Sequence, residues 1–286
     1  MIYLLLSILF NATLFVIIKL FAKYRIDALQ ALVVNYLTAF GVGLFFLPHS
    51  INFHQTIQQS WFPGSLILGF VFISTFYVTT ITSQQNGLSV ASVASKMSVI
   101  IPIILGVILY KETFNSIKIA GISMALVAVY FTSKKETGEI QRKSNLILPL
   151  LVFIGAGTID ASLKYLQTYH ITPEKVDLFS SITFLCAFAV GITLITFQVL
   201  RKKVKLNPRN IIGGIILGVP NYFSLYYLVK MLETKAFQSA TLFTIHNIAI
   251  VLLSTIAGLL FFKERISKRN AFGIALAIFA ILLVTL

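Results

Sequence analysis

The chain reads as an alternation of long apolar runs and short polar joins. Ten runs, at 2–21, 29–47, 62–82, 88–110, 114–132, 146–166, 176–199, 211–231, 237–260 and 268–286, approach the roughly 20 residues that carry a helix across a hydrocarbon core of about 30 Å. Barrel strands are only about 10 residues long and alternate in polarity; these runs are longer and do not alternate. The pattern predicts an all-α polytopic membrane protein of ten transmembrane helices. The longest joins are 48–61, 133–145 and 200–210, so none holds a soluble domain.

The most polar join, SKKETGEIQRKSN at 133–145, divides the runs five and five. It predicts a first five-helix repeat at 1–135, a connecting loop at 136–145 and a second repeat at 146–286. The halves resemble each other in blocks whose register shifts by a few residues. GSLILGFVFISTFY from Gly64 matches GGIILGVPNYFSLY from Gly213, setting Gly69 opposite Gly218 and Tyr77 opposite Tyr226. YKETFNSIKIAGISMAL from Tyr110 matches FKERISKRNAFGIALAI from Phe262, setting Lys111-Glu112 opposite Lys263-Glu264. ATLFVIIKLF from Ala12 matches GTIDASLKYL from Gly157, setting Lys19 opposite Lys164. Because each half has an odd number of spans, the second must enter the membrane upside down. Two inverted five-helix repeats of this kind house a site near the midplane, opened to alternate sides by rocking.

Composition agrees with a lipid solvent: 57% of residues are hydrophobic and 11% charged, against about 25% charged in soluble domains. The net charge of +14 would suggest a nucleic-acid partner in a soluble protein. Here the positive residues sit in the joins, with no basic surface interleaved with aromatics, so the expected partners are the lipid bilayer and a small-molecule substrate, with no nucleic acid. Cys186 is the one cysteine and lies in an apolar run, which excludes a disulfide framework or a cysteine metal site. The start, MIYLLLSILFNATLFVIIKLF, lacks a basic leader and a small-residue cleavage site, and reads as the first span.

Of the 23 Lys and Arg, fifteen fall on the odd-numbered joins, five on the even-numbered joins and helix edges, and three (Lys19, Lys96 and Lys164) inside spans. Positive residues favour the cytoplasm, so the count places the odd joins inside and both termini outside.

An ionisable residue inside a span costs on the order of 2.5–3.5 kcal/mol at mid-helix on insertion scales, so each one calls for a reason. Lys96 stands eight residues into its span, about 12 Å along the helix at 1.5 Å per residue. It reads as a cation for a substrate carboxylate or phosphate, or as a structural lysine paired with a carbonyl or with Asp160. His246 and Asn247 fall near its repeat position. They read as substrate contacts, with His246 able to exchange protons, or as neutral groups satisfied by a neighbouring helix. Asp160 and Lys164, four apart, share a helix face; Asp160 reads as a proton- or amine-binding carboxylate, or the two as a neutralised structural pair. Lys19 and Lys164 lie near span ends, where they can snorkel to the interface. Glu112 and Glu264 each precede a helix, where exposed amides favour a carboxylate, and read as structural anchors. Asn11, Asn35, Tyr36, Tyr77, Asn221, Tyr222 and Tyr226 are polar groups within spans. Hydrogen bonds between helices explain many such groups, and Asn11, Tyr77, Asn221, Tyr222 and Tyr226 are retained as substrate contacts. Pro102 and Pro220 bend their spans and read as gate or hinge positions.

The repeated Lys-Glu ahead of the fifth and tenth spans, the small-residue glycine that follows it (Gly121, Gly273) and the span spacing together resemble the drug/metabolite transporter superfamily, EamA type, over essentially the whole chain. That resemblance implies a monomer-sized ten-helix carrier of the prokaryotic inner membrane, with a cavity lined mainly by spans 1, 3, 4, 6, 8 and 9. It also implies both termini in the cytoplasm, opposite to the charge count.

Enzyme signals are missing: there is no phosphate-cradling glycine loop, no His-Glu-x-x-His and no paired carboxylates. No cofactor or metal is expected, and without a nucleotide site transport must run down a gradient or be coupled to an ion, with a proton carried by Asp160 or His246 as the candidate. Three lysines against one aspartate in the spans disfavour a cationic solute and favour an anion or zwitterion. The expected function is export of amino acids or other carboxylate-bearing solutes by alternating access. A lipophilic or aromatic drug exporter and a membrane scaffold or sensor without transport are the rivals.

Overall fold

Backbone in hydrocarbon has no water to bond to, so each apolar run closes its hydrogen bonds within itself and becomes a helix. The computed structural model describes residues 2–47, 51–110, 116–133, 146–201, 206–233, 239–264 and 266–285; Glu112 and the 136–145 loop lie outside them. The helices are α1 (Ile2–Lys23), α2 (Ala28–Phe46), a short α3 (Phe53–Ile57), α4 (Phe62–Gln85), α5 (Leu88–Met97), α6 (Ile100–Tyr110), α7 (Ser116–Ser133), α8 (Ile147–Tyr169), α9 (Val176–Leu200), α10 (Pro208–Glu233), α11 (Ser239–Phe262) and α12 (Lys268–Thr285). All ten apolar runs coincide with helices. Among the described residues, eight helical stretches are long and apolar enough to cross a membrane, and Ile119–Thr132 adds a shorter one.

One run is broken: 88–110 is two helices, α5 and α6, separated at Ser98 and Val99. Pro102, third in α6, has no amide to give the Ser98 carbonyl four residues earlier. That carbonyl takes the Ile101 amide instead, at 2.9 Å, which tightens the turn and parts the two pieces. Pro220 has no such effect. α10 passes through it unbroken while packed against α1 and α2, so of the two prolines expected to bend a span only Pro102 interrupts one.

The two halves interleave. α1 packs on α10 and α4 on α8; α2 packs on α10 and α4 on α9. Exchanging each span for its repeat counterpart converts the first member of each of these pairs into the second. Counterpart helices also meet directly, α2 with α9 and α7 with α12, and they run antiparallel. Val33 approaches Gly191 whereas Gly43 approaches Ser181, and Thr132 near the end of α7 faces Gly273 near the start of α12. The seam between α2 and α10 is made by glycines, as membrane interfaces often are: a Cβ on Gly218 would sit 2.7 Å from the Asn35 carbonyl oxygen. Polar groups close that seam at its start, where Asp27 caps α2 by accepting the Gln30 amide at 2.9 Å and Gln30 Oε1 accepts from Asn210 Nδ2 at 2.7 Å.

Gly218→Val is expected to destabilise the protein by about 1–3 kcal/mol through overpacking against backbone. Gly41→Ala, where an added Cβ meets nothing within 4 Å, should be neutral or stabilising by up to about 1 kcal/mol. Denaturant unfolding in detergent distinguishes them.

Candidate functional site

The break in the fourth span explains how a lysine is held in the apolar interior. Lys96 lies in the last turn of α5, beside carbonyls that the ended helix leaves without amides, and a cation is stabilised at such a terminus. It is half-buried. Asp160 faces it from α8. Gly157, one turn earlier on the same face of α8, packs against Ile101 of α6, so that face looks at the broken span. The charges of Lys96 and Asp160 act on each other, and no direct ion pair forms between them. Asp160 is accessible to a water-sized sphere although it lies deep among protein atoms.

His246 on α11 stands within electrostatic reach of Lys96 and bonds the Asn247 side chain. Its ring is 2% exposed, with Nε2 at 3.0 Å from Ser7 Oγ of α1. Ser7 also donates to the Ser224 carbonyl of α10 at 3.3 Å. Ser7 Oγ thus lies between the His246 ring and a backbone carbonyl, with a partner on each side. Through Ser7, His246 therefore ties α11 to α1 and α10. Asn11, one turn after Ser7 on the same face of α1, is partly accessible and stays a candidate cavity residue.

Other expected contacts go elsewhere. Asn221 donates to Asn35 Oδ1 at 3.1 Å and closes the α2–α10 seam. Tyr222 and Tyr226 belong to an aromatic ladder with Phe46 and Phe223, ring centroids 5.6 to 6.0 Å apart. Tyr77 is 38% exposed and continues the exposed stripe of Leu66 and Phe70, whereas Thr75, nearly half a turn away, faces α8. It is directed outward. The Lys96 charge acts on Asp160; Lys164, its helix neighbour, is exposed near the end of α8.

Lys19 and Glu264 also differ from expectation. Lys19 does not snorkel outward; it turns in to Glu264 Oε1 at 2.7 Å and donates to the Ser83 carbonyl at 2.6 Å. Glu264 does anchor a helix start, but that of α5: its two carboxylate oxygens accept the Leu88 amide at 2.9 and 3.1 Å. The chain geometry at the end of α11 causes this. Lys263 adopts φ 50°, and the Glu264 amide returns to the Gly258 carbonyl at 3.0 Å, a left-handed cap that swings the carboxylate under α5. A Cβ on Gly258 would lie 2.7 Å from Glu264 Oε2, so glycine leaves the space. Ser7, Gly87 and Gly258 are contacts that sequence reading missed. The one available signal was a glycine six residues before the Lys-Glu glutamate in both repeats, Gly106 and Gly258.

A family model described as EamA-like transporter family matches the chain twice, over residues 1–134 and 145–286. An uncharacterized protein of Haemophilus influenzae is 29% identical, the match covering 96% of this chain and 94% of that one. A protein of known crystal structure superposes with a TM-score of 0.57 over 98% of each chain at 13% identity, a likeness of fold.

Ser7→Ala leaves the buried His246 Nε2 without its partner and is expected to cost about 1–3 kcal/mol of unfolding free energy, read by denaturant titration. Tyr77→Phe is expected to leave stability within about 0.5 kcal/mol, as for an outward surface position.

Proposed function

We propose that this chain, which belongs to the EamA-like transporter family, is a ten-span secondary carrier that moves carboxylate-bearing solutes, amino acids foremost, by alternating access. The chain is a multi-pass membrane transporter by family and by its apolar helices; the substrate class is our reading of the site. The observation that carries it is the facing of Lys96 and Asp160 across accessible space. Each charge is costly in a membrane interior unless it has a partner. A zwitterion between them offers its carboxylate to Lys96 and its ammonium to Asp160, so both stay paired as the solute enters. A lipophilic cation gains only one of these contacts and meets Lys96 as a like charge. Asp160, being accessible, is the better proton carrier than His246, whose ring is buried and engaged by Ser7.

Among the described residues, the first, third, seventh and ninth joins gather at one end of the bundle. The Asp27 amide, at the first join, donates to Asn210 Oδ1 at 3.0 Å beside the seventh join, and Lys19 near the first join reaches Glu264 in the ninth. The charge count assigns this end to the cytoplasm, and a thiol placed at Ser144 should resist an impermeant reagent in intact cells; rapid labelling would reverse the orientation.

The test of function is flux from purified protein in liposomes loaded with amino acids, carboxylates, sugar phosphates and a dye cation, followed by mass spectrometry with and without a pH gradient. Selective loss of amino acids is expected. Lys96→Met should lower it about 10- to 100-fold, the loss of about 1.4–2.8 kcal/mol of binding, and Asp160→Asn should remove its dependence on the pH gradient. Release of the dye alone would transfer the assignment to lipophilic cations, and undiminished amino-acid flux in Lys96→Met would take Lys96 out of the site.

A further inference from the structure

The Lys96–Asp160 site accounts for neither Lys19 nor Glu264, yet these form a partly buried ion pair, with side chains 16% and 15% exposed. The pair ties together four pieces of chain. Lys19 belongs to α1 and also holds the Ser83 carbonyl of α4. Glu264 belongs to the turn after α11 and also holds the first amide of α5. From there α5 is buried over its first two turns: Leu88, Ser89, Val90, Ala91, Ser92, Val93 and Ala94 are all buried. Beyond the break the packing thins, and the described part of α6 packs chiefly on α8, whereas α5 meets α1, α4, α7, α8, α11 and α12. The odd-join end is thus sealed, and the seal is closed at its outer edge by one lysine and one carboxylate.

We propose that the Lys19–Glu264 pair is the latch of the odd-join mouth, and that Glu264 is the positioning residue which fixes the α5 half-helix, and with it Lys96, in the state closed at that end. The proposal rests on the carrier reading above. Opening this mouth requires α5 to part from α1 and from the turn after α11, and both contacts run through this pair. Two glycines leave room for the carboxylate. Gly87, at φ 116°, would bring a Cβ within 3.3 Å of Glu264 Oε2, and Gly258 within 2.7 Å. An ion pair suits a latch because its partners, once parted toward water, are each rehydrated, whereas a packed apolar seal leaves nothing to favour the open state. The break at Ser98 and Val99 supplies the hinge, since α5 can tilt there without dragging α6.

The test uses the full chain with Cys186→Ala and a reporter thiol from Asp160→Cys, in sealed vesicles of both orientations. The native latch should allow labelling from the even-join face and little from the odd-join face. Lys19→Met should raise labelling from the odd-join face about tenfold, the population shift of about 1.4 kcal/mol, and lower it from the other face; Lys19→Arg should restore the native pattern. Hydrogen exchange, in the chain with Asp160 intact, gives a second readout. Lys19→Met and Glu264→Gln should speed exchange in α5 about tenfold while α2 and α9 stay unchanged. Faster labelling from both faces, with faster exchange throughout, would reduce the pair to a structural tie and overturn the latch. Unchanged labelling and exchange would overturn it as well. A thiol at position 160 that labels from neither face, with α5 exchange still accelerated, would uphold the latch and remove Asp160 from the cavity, which separates failure of the carrier site from failure of the latch.

Discussion

In a hydrocarbon interior every amide, carbonyl and charge must find its partner within the protein, and the architecture follows from meeting that demand at the few places where it is hard. Helix formation meets it along the runs. The hard places are the ends, the break and the ionisable side chains, and here they are solved jointly. Glu264 satisfies the first amide of α5, Lys19 neutralises Glu264, and the carbonyls at the other end of α5 favour Lys96. One short helix thus carries a capped start and a cationic end.

The repeat symmetry gives this arrangement its place. Counterpart helices α2 and α9, and α7 and α12, pack antiparallel against each other, so neither half encloses a core of its own and the broken span meets α8 and α11 from the other half. Glycine seams allow it. Between α2 and α10 the backbones approach closely enough that a single added methyl at Gly218 would press on a carbonyl, and the asparagine bridge between the same helices keeps its polar atoms away from lipid.

The polar side chains divide by whether a neighbour already satisfies them. His246 and Asn221 do, and act as cross-helix ties. Lys96 and Asp160 act on each other electrostatically without a direct ion pair. Residue type alone does not make this distinction: a histidine in mid-span and a lysine in mid-span were equally conspicuous along the chain.

The sequence by itself determined the number and length of the apolar runs, the two-fold repeat, the family and the shortlist of buried charges. Those properties are local, or recur at a fixed period, and hydropathy and length report them directly. Pro102 also marked a real interruption, because a missing amide acts within four residues. The tertiary structure decided where side chains point and which distant groups they meet. Lys19 looked like an interfacial lysine until α11 ended in a left-handed turn that brought Glu264 to it. Asp160 looked like the partner of Lys164, four residues on, until packing of α8 against the broken span turned it to Lys96. Tyr77 looked like a cavity residue until the exposed stripe on α4 turned it outward. The Lys19–Glu264 pair and the charge that Lys96 exerts on Asp160 join residues far apart in the chain through the packing of separate helices, so no short window of sequence contains them.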